Sequence, residues 1–315
     1  MDDQLVSVAM TTYNGAPYLR QQLDSILDQT YPRIEIVVCD DASTDDTVKI
    51  LEHYPDLKLT VNDENLGFVK NFEKAIGLCR GDYVALADQD DVWKPGKIER
   101  LVERIGDRSL ICSDADLIDE KGKPLAPSFY EFSRFRTASG RPFRQLLFNN
   151  FVTGCTSLCT RELVANALPF PEDLLYHDWW LGLLATRLGG IEVLPDRLIR
   201  YRQHSLNRIG ADKKPDLLEK VKAVREKFAG RSFTREINSM KSMRGAPFFS
   251  EEDRRVFDDR IRFFEKILGP PIRFRACALA MKYHREMLPD RSALFKAAFF
   301  LGTLFLPRSR ASEAG

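Results

Sequence analysis

Tyr83-Val-Ala-Leu-Ala-Asp-Gln-Asp-Asp91 is an apolar run that turns abruptly acidic. An apolar stretch of this length, set off by Gly81-Asp82 before it and carboxylates after it, predicts a buried strand with acids at its carboxyl end. Three earlier runs share this grammar. Val6–Met10 closes on Thr11-Thr-Tyr-Asn-Gly15, Ile34–Cys39 on Asp40-Asp-Ala-Ser-Thr-Asp45, and Leu57–Val61 on Asn62-Asp-Glu-Asn-Leu-Gly67. Between the runs, apolar residues recur at helical spacing: Leu19, Leu23, Ile26 and Leu27; Val48 and Leu51; Phe68, Phe72, Ile76 and Cys79. After the fourth run, Ile98, Leu101, Val102 and Ile105 share one helical face, and Leu110–Cys112 forms a fifth run. Strands alternating with helices predict an α/β fold whose sheet is mostly parallel and joined by crossover helices.

Ligands of open parallel sheets bind outside the carboxyl ends of the strands, and all four polar clusters fall there. Asp88, Asp90 and Asp91 repel one another unless a cation or hydrogen-bond donors compensate. Mg²⁺ or Mn²⁺ suits such a set, since these ions take oxygen ligands and are shared with substrate phosphates. A solvated acidic turn capping the helix near Pro95 is the competing reading, and the convergence of four strand ends favours the ion. Ser43 to Asp46 have the composition of helix caps. Asp40, one residue past Cys39, is placed to face the crevice and accept an N–H from a base, and Tyr13 is placed to stack on a flat ring.

Beyond residue 114 the pattern loosens. Asp119-Glu-Lys-Gly122 reads as a turn between strands, and a mixed region runs to about residue 205. From Pro215 the chain reads as helical, with Ser250 and Asp253 spaced as a capping box and Gly269-Pro-Pro271 as a helix stop. The expected division is an α/β domain over residues 1–214 and a helical extension over 215–315. Leu294–Leu306 is apolar but short for a bilayer and interrupted by Lys296, so it is either a core helix or a shallow membrane contact.

Bulk composition narrows the partners. The 315 residues include 44% hydrophobic and 30% charged side chains, which suits a folded protein with a sizeable core rather than a disordered one. With 47 basic and 46 acidic residues the net charge is +1, which gives no reason to expect nucleic acid. Six cysteines without a CxxC pair suit a reduced, cytoplasmic setting. The N-terminus lacks the basic start of a secretory signal.

Taken together, TTYNG, DDASTDDT, ENLGFVKNF and ADQDDVW resemble the family 2 glycosyltransferases, which have the GT-A fold. The form ADQDDVWKPGK, with HDWW at 177–180 and YRQHSLNRIG at 201–210, is similar to the rhamnosyltransferase-type branch that builds bacterial surface polysaccharides. The resemblance covers about the first two-thirds of the chain. It implies a doubly wound mixed, mostly parallel sheet and an inverting, metal-dependent transfer from a nucleotide-diphosphate sugar, dTDP-rhamnose or a UDP-hexose, to a saccharide acceptor, free or lipid-linked. O-antigen or capsule synthesis is the implied setting, with location in the cytoplasm or peripherally on the cytoplasmic face of the membrane.

The implied roles fall on matching positions. Thr11 and Tyr13 hold base and ribose, Asp40 accepts the base N–H, and Asp88 contacts the ribose or positions the donor. Asp90 binds Mn²⁺ or Mg²⁺, with Asp91 in support and His204 as a further ligand or a surface histidine. Asp178 is the catalytic base and His177 the alternative. Trp179 and Trp180 are either a wall under a sugar ring or core. Gly154, in Phe151-Val-Thr-Gly-Cys155, lets the backbone come close to the donor sugar.

Rival readings are weaker. A Rossmann oxidoreductase would need GxGxxG where the first turn reads TTYNGAPY. A nucleotidyltransferase would need a glycine-rich basic loop there. A non-catalytic sugar-nucleotide-binding protein of the same fold has no use for both the DxD and HDWW motifs.

Overall fold

The computed structural model describes residues 4–204, 233–267 and 274–288, together with Lys296, Phe299, Phe300 and Thr303. The chain forms two compact units. One comprises Met1–Pro142, Asn150–Phe170 and Tyr176–Ala211; the other comprises Phe143–Asn149, Pro171–Leu175 and Asp212–Gly315. The junction expected at residue 214 lies outside the described residues.

In the first unit the four apolar runs are strands β1 (Val6–Thr12), β2 (Ile34–Asp40), β3 (Leu57–Val61) and β4 (Tyr83–Ala87). The intervening helices are α1 (Ala16–Leu27), α2 (Thr47–Leu51) and α3 (Phe68–Leu78). All of β1 is buried, as a strand covered on both faces must be. Leu19, Leu23 and Ile26 of α1 pack with Val6, Val8 and Met10 of β1. Each such side chain contributes about 1.5–3 kcal/mol on leaving water.

Next come the short strand β5 (Val92–Trp93), helix α4 (Lys97–Ile105), strands β6 (Leu110–Asp119) and β7 (Pro124–Ala126), and helices α5 (Phe129–Ser133) and α6 (Phe143–Phe148). Strand β8 (Ser157–Thr160), helices α7 (Arg161–Ala167) and α8 (His177–Ala185) and strand β9 (Ile191–Gln203) follow. The strand order is β3-β2-β1-β4-β8-β6-β9-β5, with β7 paired to β6. Strands β1 to β4 are parallel, while β8 runs antiparallel to β4 and β6. The chain leaves β1 toward β2 and β3, then returns to β4 on β1's other side. That reversal opens a crevice between the ends of β1 and β4.

The expected fifth run, Leu110–Cys112, is only the start of β6. Ser113, Asp114 and Asp116 break the apolar pattern, yet the strand continues beside β9 with register shifts at 113–115. Asp114 is tolerated there because its carboxylate accepts from the N–H of Ala115, the N–H of Tyr130 and the Ser128 hydroxyl. The predicted turn after Asp119 is present, closed by Gly122 N–H to the Asp119 carbonyl.

Gly81, which links α3 to β4, tests how tightly the sheet edge is packed. Its N–H donates to the Ser7 hydroxyl at 2.7 Å, and a Cβ there would lie 2.5 Å from the Leu5 carbonyl oxygen. The contact is with backbone, so it cannot be relieved by a rotamer change. Gly81→Ala is expected to destabilise the protein by about 2–3 kcal/mol. The melting temperature should fall by roughly 5 °C, and an unchanged melting curve would contradict this packing.

The second unit contains α6 with helices α9 (Thr234–Arg244), α10 (Glu251–Ile267), α11 (Phe274–Lys282) and α12 (His284–Met287). Phe143 packs on Phe249 and Phe257. The capping box ahead of α10 is formed: Ser250 N–H donates to Asp253 at 3.0 Å, and Asp253 N–H to the Ser250 hydroxyl at 3.2 Å. Gly269-Pro-Pro271 and most of Leu294–Leu306 lie outside the described residues. Within that last segment Phe299 and Thr303 are buried. Among the described residues, no helix is long and apolar enough to cross a membrane.

Candidate active site

The crevice between β1 and β4 is a cavity of about 440 Å³. Thr11 and Tyr13 reach it from the end of β1, Asp88 and Asp90 from the end of β4, and Asp178 from the first turn of α8. Two side-chain links fix the mouth. Gln89 accepts from Tyr13 N–H at 2.8 Å and donates back to the Tyr13 carbonyl at 3.1 Å. A Cβ on Gly15 would fall 2.1 Å from the Gln89 amide oxygen, so a larger residue there would displace the Gln89 side chain from Tyr13. Tyr13 is 47% exposed, so its ring is available to a stacking partner.

Strand β9 delivers the groups that hold the acidic loop from behind. Arg202, buried, donates from Nε to the Asp90 carbonyl at 2.7 Å and from Nη2 to Gln21 at 2.6 Å, and its backbone N–H reaches Asp91 Oδ1 at 3.1 Å. Two residues on, His204 Nε2 lies 2.7 Å from Asp90 Oδ2, its ring stacked on Tyr18 at 5.0 Å. Asp90 and His204, predicted together from motifs 114 residues apart, therefore meet.

Charge in this loop is crowded. Burial, then the neighbouring Asp90 and Asp178 carboxylates, push Asp88 up to about 7. Asp91 is fully buried and held well above the usual carboxylate range by burial, then by Asp90 and Asp88; its Oδ2 has no hydrogen-bond partner among the described residues. Asp88, Asp91 and the Cys155 thiol lie with their ligating atoms within 4.8 Å of one another. Asp88, Asp90, Asp91 and Asp178, set against the buried cations Lys97 and Arg202, leave two negative charges in excess when ionised. Oxygen donors, one imidazole and that excess fit a hard divalent cation.

Asp178 occupies a drier corner. Its oxygens accept from the Asn150 amide at 3.1 Å and from Gly154 N–H at 3.2 Å. Burial pushes it up to about 6, against the pull of the Trp179 and Gly154 N–H groups and Asn150. A carboxylate that titrates just below neutrality is suited to taking a proton. His177, the alternative base, is different. It is buried against Phe72, ring centroids 3.9 Å apart, and burial pushes it down to about 3. It is a neutral packing element at physiological pH. Gly154 is small for the sake of this histidine, since a Cβ would meet His177 Nε2 at 3.0 Å.

Asp40 is a correction. Its side chain does not line the cavity; it is fully buried and accepts from Thr12 and Ser43 hydroxyls at 2.7 and 2.6 Å and from Ser43 N–H at 2.8 Å. With those donors in place it braces the β1 and β2 ends, and Asp41 lines the cavity instead. Asp41 accepts from the N–H groups of Leu66 and Gly67 and from the Asn62 amide, which pulls the 62–67 loop to the rim. Trp179 and Trp180 are core; Trp180 Nε1–H donates to the Ala167 carbonyl at 3.0 Å. Sequence reading missed Gln89, Lys97, Asn150 and Arg202. Of these Gln89, Lys97 and Arg202 lay inside a quoted motif, and Asn150 did not.

A family model described as "Glycosyl transferase family 2" matches residues 7–166. An uncharacterized glycosyltransferase of Haemophilus influenzae is 31% identical over 212 residues, which is 64% of this chain and 66% of that protein. The dTDP-rhamnosyl transferase RfbG of Shigella flexneri is 29% identical over 224 residues, covering 64% of this chain and 74% of its own length. Among solved structures, S. aureus TarS 1–349 in complex with UDP-GlcNAc matches with a TM-score of 0.56 and 19% identity, over 95% of this chain and 90% of that one. That last likeness is one of fold.

Proposed function

The chain belongs to glycosyl transferase family 2, and we propose that within it the protein is an inverting transferase. It moves a sugar from dTDP-rhamnose or a UDP-hexose to a saccharide hydroxyl in bacterial surface polysaccharide synthesis. The observation that carries this reading is the single cavity in which Asp88, Asp90 and Asp178 meet the exposed Tyr13 ring. The relative named as a dTDP-rhamnosyl transferase supports the donor class. So does the UDP-GlcNAc complex of a protein with the same fold.

In this reading Tyr13 and Thr11 receive the base and ribose, and Asp88 orients the donor. Asp90 and His204 would hold a Mn²⁺ or Mg²⁺ ion, which supplies charge compensation for the departing diphosphate. Asp178 accepts the proton of the acceptor hydroxyl as the bond to the anomeric carbon forms. The C–O bond to the nucleoside diphosphate breaks on the opposite side, through an oxocarbenium-like state as in glycoside hydrolysis. A single displacement inverts the anomeric configuration. The saccharide acceptor, lipid-linked in the fullest form of the proposal, would be met at the cytoplasmic face of the membrane.

The test is a panel of nucleotide sugars and free nucleotides with Mn²⁺, read by thermal shift and by release of nucleoside diphosphate. A ligand present at 100 times its dissociation constant stabilises the folded state by about 2.7 kcal/mol, so the true donor should stand out from the rest. Should no nucleotide sugar raise the melting point or release diphosphate, the proposal fails.

A further inference from the structure

A buried lysine stands where a helix start disfavours one. Lys97 is the first residue of α4, beside the positive end of the helix dipole, and it is fully buried. Its ammonium donates to the Cys155 carbonyl at 2.6 Å and lies 3.4 Å from the centroid of the Trp93 ring. The thiol of the same Cys155 is clustered with the carboxylates of Asp88 and Asp91. Burial pushes this ammonium down to about 7, and the Cys155 thiol and the Asp91 and Asp88 carboxylates pull it back up, so the acids beneath the cavity are what keep it charged. Trp93 and the Cys155 carbonyl fix the ammonium in place, so it cannot snorkel to water.

We propose that Lys97 is a built-in counter-ion that sets how strongly the acidic loop binds a divalent cation, weakening that affinity while holding the loop together without one. This rests on the divalent-cation reading given above. A fixed positive charge next to Asp88 and Asp91 repels an incoming cation and offsets part of the field that attracts it. Its charge also offsets part of the repulsion among the three acids that close β4 within four residues.

The experiment is a Mn²⁺ titration without nucleotide, with free ion followed by electron paramagnetic resonance. It compares wild type, Lys97→Met, Lys97→Gln and Lys97→Arg, each first checked for a cooperative melt. Glutamine keeps an N–H donor for the Cys155 carbonyl, so it carries the test if the methionine variant does not fold. The neutral variants should bind Mn²⁺ at least about tenfold more tightly, and the arginine variant within about threefold of wild type. A folded neutral variant with wild-type or weaker affinity overturns the proposal, and it would assign Lys97 to packing alone. Wild type that binds no Mn²⁺ at all overturns the cation reading itself, a distinguishable result.

Discussion

Asp178→Asn is expected to lower sugar transfer roughly a thousandfold while donor binding and folding survive. Asparagine has the same shape and keeps an oxygen for Gly154 N–H, and the Asn150 amide can turn to meet its new NH₂. What it loses is basicity, the one property the acceptor hydroxyl requires. Because Asp178 sits at about 6, wild-type kcat/KM should fall tenfold per pH unit below that value and level off above it. The residual rate of the asparagine variant should lack this limb. The stability sign runs the other way. A carboxyl raised in the folded state binds its proton more tightly there than in the unfolded chain. It therefore costs stability as pH climbs from the ordinary aspartate range through about 6. Removing it should leave the melting temperature at neutral pH unchanged or higher. Transfer within tenfold of wild type, or an acid limb that persists in the variant, would take the base role from Asp178.

The sheet and the acids were readable because both are written locally. Strand alternation with helical spacing lies within windows of a few residues, and Asp88 and Asp90 fall in the polar step that ends an apolar run, whereas Asp178 was singled out by the family resemblance and not by spacing. Asp40 shows where local reading stops. Two consecutive aspartates close β2, and which one enters the crevice depends on Thr12 from β1 and Ser43 from the following loop capturing the first. Nothing in the spacing announces that capture. The contact of Lys97 with Cys155 joins residues 58 apart in sequence, and Arg202 reaches Asp90 from 112 residues away. Such pairs arise from strand order, which places β9 beside β6 and β5. The tryptophans after Asp178 looked equally suited to wall and core; the buried face of α8 decided it. The C-terminal unit recruits residues 143–149 and 171–175, an exchange that no linear boundary can express.

Removing the divalent cation should abolish transfer, and Asp90→Asn should lower it by about a hundredfold or more even with Mn²⁺ in excess. The substitution isolates charge from structure. Arg202 holds the Asp90 backbone through its carbonyl, and an asparagine oxygen can still receive a hydrogen bond from His204. The loop should therefore keep its course, and the melt should change by little. The missing charge matters because a nucleoside diphosphate leaves with growing negative charge in a cavity lined by Asp88 and Asp178, with Asp91 buried close to Asp88. Without compensation those carboxylates oppose both donor binding and departure, so KM and kcat should suffer together. His204→Ala should weaken Mn²⁺ binding less, since it deletes one imidazole and leaves the carboxylates in place. Chelator-treated protein should recover when Mn²⁺ or Mg²⁺ is restored. Full turnover in excess EDTA would move charge compensation from the ion to the buried cations Lys97 and Arg202, and an Asp90→Asn variant that titrates Mn²⁺ like wild type would move the ion to other ligands.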